Sequence, residues 1–471
     1  MLEVVFSKDK PSAGTVKVIP MFEDKMVKAD FLTDEEAKLV KKAIVQAEFG
    51  GQNGKNLDIF GGRAKIILAG LGSDNDDLSL QGAGEKLFGQ LSGDERAYIA
   101  AEDDNTAIQL AYGILLGSYS FDKYKTEKTA ADFPKLEQII VRVNDPTAAT
   151  ENFKACLALV TAVRYAKDLC NEPASYLTPE VFAADIKRLE YLGLDVEILD
   201  EQALRLNGFG LVEAAARGSA VSPRVVVISW RGKRQQENYD LGLVGKGVCF
   251  DAGGLSLKNT AGMQEMKMDM SGAAAVVAAM KAAALQRQRK NLIAVVGLIE
   301  NMPGPAAMKI GDVCTSVCGK TVEIGNADAE GRLVVADCLA YLQKNYPVKR
   351  VVDLATLGSL RNVLGNVYAG LFANDDKLAG ALLAAGDKSG EKLWKMPLDI
   401  RYEQMLSSPI ADIRNVAVEG RASIVSAAFL NRFVEKGVKW AHIDISGVRL
   451  DKTGLASGFG VRLLDELIKE L

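Results

Sequence analysis

The 471-residue chain contains one histidine, His442, and that scarcity excludes more chemistry than any other feature of its composition. Zinc sites of the His-rich or Cys2His2 kind need at least two histidines, and a Ser-His-Asp or Cys-His mechanism would have to use this one. It stands in WAHIDIS, an alternating strand pattern, and reads as a packed or hydrogen-bonded residue. Cysteine is also sparse. Cys156, Cys170, Cys249, Cys314, Cys318 and Cys338 form no CxxC pair and lie mostly in apolar runs, so they read as reduced core thiols. No sign of charge dominates: 57 Lys and Arg stand against 61 Asp and Glu, for a net charge of −4. Nucleic acid and anionic membrane surfaces are thereby disfavoured as partners. Long apolar runs are missing too. The N-terminal MLEVVFSKDK reaches charge too early for a signal peptide, and the longest uncharged stretch, Asn105 to Phe121, is studded with Asn, Thr, Gln and Ser. The expectation is a cytoplasmic protein that spans no membrane.

What the sequence does have is alternation. Short β-rich runs (EVVF, TVKVIPMF, AKIILAGL, LEQIIVRV) interleave with amphipathic stretches around Asp34 to Phe49, Leu80 to Leu91 and Thr106 to Gly117. A helix over about Pro146 to Leu169, ended by Asn171-Glu172-Pro173, follows. The pattern then resumes with LDVEIL, RVVVISW, LGLVGKGVCF, NLIAVVGLIE, VVDLATL and WAHIDIS, with helices between them. The fold class is α/β in two domains: a smaller N-terminal α/β domain over 1–148, and a larger α/β/α domain over 149–471 that opens with a joining helix over 149–170. Strands such as LIAVVGLI are apolar at nearly every position, which implies a mixed or parallel central sheet covered on both faces, with sites at the carboxyl ends of its strands.

Two glycine-rich segments fail as nucleotide loops. After LVGKG the third glycine of the dinucleotide fingerprint is replaced by Phe250, and Gly319-Lys320-Thr321 has Cys314 where a phosphate loop needs its first glycine.

Carboxylates gather instead. The strand LGLVGKGVCF carries Lys246 and leads to Asp251, with Lys258 after Gly253-Gly254. Asp269 stands between methionines before a small-residue helix, where Ser271 could serve as the N-cap and leave Asp269 free. In Asn326-Ala327-Asp328-Ala329-Glu330-Gly331-Arg332 an extended backbone would project Asp328, Glu330 and Arg332 to one side. Four uncompensated carboxylates in one cleft repel strongly, and two divalent cations would offset them. Oxygen-rich ligation suits Mn2+, Mg2+ or Zn2+, roughly 3.5–4 Å apart, activating a water for hydrolysis. Lys246 and Lys258 read either as counter-charges or as functional groups, since burial beside a cation lets a lysine lose its proton.

The segments VGKGVCFDAGGLSLK, MKMDMSGAAAV, ENMPGPAAMKIGDV and NADAEGRLVVAD, in that order and spacing, resemble the leucyl aminopeptidases, the dimetal, hexameric cytosol aminopeptidases. The likeness covers essentially residues 160–471; the first 150 match only in general character. It implies a metallo-exopeptidase that removes a leucine-like N-terminal residue from peptides by way of a metal-bridging hydroxide. It further implies that Lys246, Asp251, Asp269 and Glu330 bind the tighter metal, and Asp251, Asp328 and Glu330 the more exchangeable one. Lys258 would contact the substrate carbonyl and the tetrahedral oxyanion, and Arg332 would hold a bicarbonate acting as general base. Met266, Asn326, Thr356 and Leu357 are the candidates to line the pocket for the N-terminal side chain. A homohexamer is implied as well. Ala327, the run Ala355 to Leu360 and VAVEGRASIVSAAF depart from the family pattern near that pocket. Two other classes compete: a DNA- or ligand-binding regulator on the same scaffold, and a two-metal phosphatase or nuclease. The balanced charge, and the lysine ligand with NADAEGRL, weigh against them respectively.

Overall fold

The computed structural model describes all residues except Met1, Ala13, Asp24, Val27, Gly62, Arg63, Glu102, Arg234, Gln235, Ser359, 418–421 and the Ala422 side chain. The chain divides into two compact units, Met1–Val160 and Thr161–Leu471. The division falls inside the helix Pro146–Asn171, which begins in the first unit and ends in the second.

In the first unit six strands run in the spatial order Glu3–Ser7, Gln138–Arg142, Arg96–Ile99, Val16–Phe22, Ile66–Gly72, Asn56–Ile59, and the two-residue Lys25–Met26 adds to Val16–Phe22. All neighbours are parallel except the last pair and that short arm. The helices Asp34–Gln46, Asp77–Leu91 and Asp104–Gly117 start at side-chain caps from Thr33, Asp76 and Asp103, each satisfying amide groups the first turn leaves open.

The second unit is built on an eight-stranded mixed sheet. Its order is Leu393–Lys395, Ala369–Ala373, Lys439–Asp444, Arg350–Ala355, Leu241–Asp251, Asn291–Asn301, Arg224–Arg231, Asp195–Leu199. The four central strands, from Lys439–Asp444 to Asn291–Asn301, are parallel, and antiparallel pairs flank them. Leu241–Asp251 and Asn291–Asn301 are buried along nearly their whole length, which explains their almost unbroken apolar sequence. Glycines reveal the two covering layers. A Cβ at Gly245 would strike the backbone of Ala273 in the helix Ser271–Leu285, whereas one at Gly297 would strike Val334 and Cys338 in the helix Gly331–Asn345. The segment Thr260–Leu285 is apolar and long enough to cross a membrane by length and composition, but 89% of its most apolar window is buried inside this unit, as a core helix requires.

Cys170, Cys249, Cys314 and Cys338 are buried free thiols, as their apolar settings suggest; Cys156 is half-buried and Cys318 exposed, so those two are not core residues. His442 is fully buried. Its Nδ1 lies 2.6 Å from Asp353 Oδ1, whose other oxygen accepts from Trp440 Nε1 at 2.7 Å. Asp353 raises the histidine's pKa above its ordinary value against the opposing effect of burial.

Candidate metal centre

Parallel strands end on the same edge of a sheet, and here that edge assembles the cleft. Leu241–Asp251 delivers Asp251, Arg350–Ala355 leads directly into Thr356, and Asn291–Asn301 ends at Asn301 in register with Asp251. The cleft has a volume of about 730 Å3, and all eleven residues singled out from the sequence line it.

Lys246 sits within its strand, opposite Gly297 and on the face away from Gly245 and Gly247. Its stem runs beneath Gly331, where a Cβ would collide with the lysine's Cε and Nζ; glycine there is a condition for the lysine to reach the cleft. Its Nζ donates to Thr356 O at 2.9 Å and stands 2.6 Å from Asp269 Oδ2 and 3.0 Å from Glu330 Oε1. Lys258 pairs with Asp251 Oδ2 at 2.7 Å and with Asp328 Oδ1. Between Asp251 and Lys258 the chain reverses at Gly253, φ +89°, a left-handed conformation that glycine tolerates; a side chain there would also press on Asp328.

Asp269 follows the short 3-10 turn Met266–Met268 and is buried. Its Oδ1 accepts from Thr356 Oγ1 at 2.6 Å. Ser271 is not the cap the sequence suggested: it is the first helical residue, and its hydroxyl bonds to Met268 O at 2.5 Å. Nor is the Asn326–Glu330 segment extended. It turns tightly, with Glu330 already at helical angles (φ −72°, ψ −36°) before the helix Gly331–Asn345, and this turn still brings Asp328 and Glu330 into one cleft.

Electrostatics mark the cluster as short of positive charge. Burial, reinforced by Asp251, raises the carboxyls of Asp269 and Asp328, and Glu330 reaches about 8. Burial opposes the charge on both lysines, yet the surrounding carboxylates hold both above the ordinary lysine value. Burial lowers Arg332 to about 10, against the pull of Glu330 and Asp444; its Nη1 donates to Asn415 O at 2.6 Å and its Nε has no hydrogen-bond partner among the described residues.

The donor set fits divalent cations. One ligand oxygen each from Asp251, Asp328 and Glu330 lie within 4.8 Å of one another. Asp269 Oδ2 and Glu330 Oε1 have the Lys246 ammonium as their ion-pair partner, and both oxygens would be open to a cation once that lysine gives up its proton. Hard oxygen donors of this kind suit Mn2+, Mg2+ or Zn2+.

Some supporting residues were not legible in the sequence. Asn301 Nδ2 donates to Asp251 Oδ1 at 2.8 Å and to Ala327 O at 3.0 Å. Asn415 ties the acidic turn together through Gly325 N, Asn326 N and Asn326 O. Asn301 closes an apolar strand just as Asp251 does, and that shared position was the one available signal. Asn415 gave none. Thr356 Oγ1 donates to Asp269 Oδ1 and Asn326 Oδ1 accepts from Asp328 N at 2.8 Å, so both side chains are oriented by the acidic cluster they line. Ser359 and most of VAVEG, where the sequence departs from the family pattern, lie outside the described residues.

An α/β/α domain with a carboxylate and lysine cleft at the carboxyl edge of its parallel strands defines the class of metal-dependent hydrolases. The models of the cytosol aminopeptidase family match both halves of the chain, the catalytic domain over residues 164–465 and the N-terminal domain over 18–128. The chain belongs to the cytosol aminopeptidase family and is a metal-dependent aminopeptidase. It is 40% identical over 446 residues to a probable cytosol aminopeptidase of Caulobacter vibrioides, covering 91% of this chain and 90% of that one. A namesake from Rhizobium meliloti is 39% identical over 99% of this chain and 98% of its own length. Among solved structures, the bottromycin maturation enzyme BotP in complex with Mn superposes with a TM-score of 0.85 at 31% identity, covering 98% of this chain and 99% of that one. A mutant of tomato leucine aminopeptidase superposes at 0.89 and 28% identity, covering 100% and 97%. These relatives give no support to a DNA- or ligand-binding regulator.

Proposed function

We propose that the cleft holds two divalent cations, Zn2+ or Mn2+ with Mg2+ as a further candidate, and removes a leucine-like N-terminal residue from peptides. The observation that carries this reading is the convergence of Lys246, Asp251, Asp269, Asp328 and Glu330 with more carboxylates than nearby lysines can neutralise. Lys246, Asp251, Asp269 and Glu330 would hold one ion, and Asp251, Asp328 and Glu330 the other. When bound, such ions polarise a carbonyl and supply a nucleophile at neutral pH. A ligand role for Lys246 requires it to exchange its proton for the cation, which the carboxylates now hold in place.

The chain's own groups do the rest. Lys258, at the mouth and only partly buried, is a cation able to meet the charge that develops on the scissile carbonyl oxygen. Arg332, with an unpartnered Nε, would hold bicarbonate as the proton acceptor that the histidine-poor sequence does not otherwise provide. Met266 and Leu357 offer an apolar wall for the N-terminal side chain, with Thr356 and Asn326 completing the lining. The enzyme would act on peptides in the cytoplasm as a homohexamer, without nucleic-acid or membrane partners. The test is release of leucine from a leucyl amide by the Mn2+- or Zn2+-loaded protein, alongside metal content per chain. Failure to release it with two metals bound would sink the catalytic reading. A monomer by sedimentation would sink the hexamer.

A further inference from the structure

One corner of the cleft is not apolar. Arg449 lines it with its side chain only 13% exposed. Nη2 donates to Glu265 Oε2 at 2.7 Å and Nη1 to Ser446 O, so two of the five guanidinium N–H groups have protein acceptors among these contacts. Ser446, also in the cleft and 7% exposed, has a buried Oγ with no hydrogen-bond partner among the described residues. Both anchors place the guanidinium. Glu265 immediately precedes Met266, and Ser446 follows the strand Lys439–Asp444, whose parallel neighbour leads into Thr356 and Leu357. Arg449 therefore stands on the side of the cleft that Met266 and Leu357 line.

We propose that Arg449 and Ser446 give the side-chain subsite a polar far end, so that the enzyme accepts an N-terminal glutamate or glutamine as readily as a leucine-like residue. This rests on the reading of Met266 and Leu357 as the walls around the N-terminal side chain. The Ser446 hydroxyl is buried without an acceptor among the described residues and Arg449 lines the cleft beside it, so a substrate oxygen placed there gains a hydrogen bond from a charged donor. The aliphatic stem of either residue uses the same apolar wall as leucine, and its terminal oxygen meets the guanidinium and the hydroxyl. Glu265 already neutralises the Arg449 charge, so the uncharged amide of glutamine is accommodated beside the carboxylate of glutamate.

The test uses the Mn2+-loaded enzyme and glutamyl, glutaminyl and leucyl amides of one fluorogenic amine, comparing kcat/KM ratios in wild type and in Arg449→Met, Arg449→Lys and Ser446→Ala. The wild type is expected to cleave the glutamyl and glutaminyl amides at least as fast as the leucyl amide. Arg449→Met is expected to lower both ratios to leucine by about ten- to a hundredfold, the worth of one charge-assisted hydrogen bond. Arg449→Lys should restore much of the glutamyl ratio, and Ser446→Ala should lower both ratios several-fold. Unchanged ratios in all three variants overturn the proposal, and so does an effect of Arg449→Met confined to dipeptides with a free carboxylate beyond the scissile bond. Wild-type enzyme that cleaves leucyl amide but shows no such ratio change refutes the subsite alone; metal-loaded enzyme that cleaves none of the amides refutes the aminopeptidase reading with it.

Discussion

Asn301 is not among the proposed ligands, yet replacing it is expected to weaken metal binding. It is 2% exposed at the end of its strand, and its amide joins the Asp251 carboxylate to the Ala327 carbonyl in the acidic turn. Asn301→Leu keeps the approximate volume and removes both bonds. Asp251 Oδ1 retains only the Gly253 amide at 2.8 Å, and the carboxylate, still paired with Lys258 through Oδ2, is less firmly oriented. The bond to a charged group is worth about 1.5–3 kcal/mol and the carbonyl left without its partner costs roughly 1 kcal/mol more. Residues that orient metal-binding carboxylates change affinity by about 10–100-fold, and the structure predicts a loss in that range. The assay is Mn2+ titration against a competing chelator, run beside thermal unfolding of the metal-free protein. Affinity within twofold of wild type in a folded variant would refute the reasoning. So would a large drop in metal-free stability with affinity untouched.

Asp328→Ala is expected to reduce bound metal from two ions per chain and abolish leucyl amide hydrolysis, as read by elemental analysis and turnover on the same sample. Asp337 is wholly buried, accepts from the Leu211, Val212 and Val317 amides, and is raised by burial to about 7. Because the folded value lies above the unfolded one, its proton stabilises the native state most below about pH 4, and that contribution is lost as pH rises to about 7. Between pH 5 and 7 this amounts to up to about 1.4 kcal/mol per pH unit. Denaturant unfolding should show a steeper decline over that window in wild type than in Asp337→Asn; parallel curves would contradict it. Asp353→Ala strands the Trp440 indole N–H and His442 Nδ1 in the core and should cost roughly 3–5 kcal/mol, visible as a lower Tm. Gly331→Ala should displace the Lys246 stem and lower metal occupancy without altering the sheet, checked by metal content and circular dichroism.

The sequence alone was enough to establish the alternation of strands and helices, the doubly covered central strands and the grouping of Lys246, Asp251, Asp269, Asp328 and Glu330. These features are carried by local periodicity and by polar residues interrupting apolar strands, and both signals survive without knowledge of distant contacts. It missed Arg96–Ile99 and the outer strands Asn56–Ile59, Ala369–Ala373 and Leu393–Lys395, whose short segments carry too little periodicity to distinguish them from loops. It also misjudged local detail at Ser271 and in the acidic turn, where tertiary bonds override capping preference and simple alternation. Only the folded chain could show that Ser446 and Arg449 line the cleft and that Asn301 and Asn415 brace it. Their sequence surroundings are ordinary, and their roles come from contacts made across 26 to 184 residues of chain. One histidine sufficed to rule out whole mechanisms, because a count needs no geometry; which cation meets which carboxylate had to await the sheet that places their strand ends on one edge.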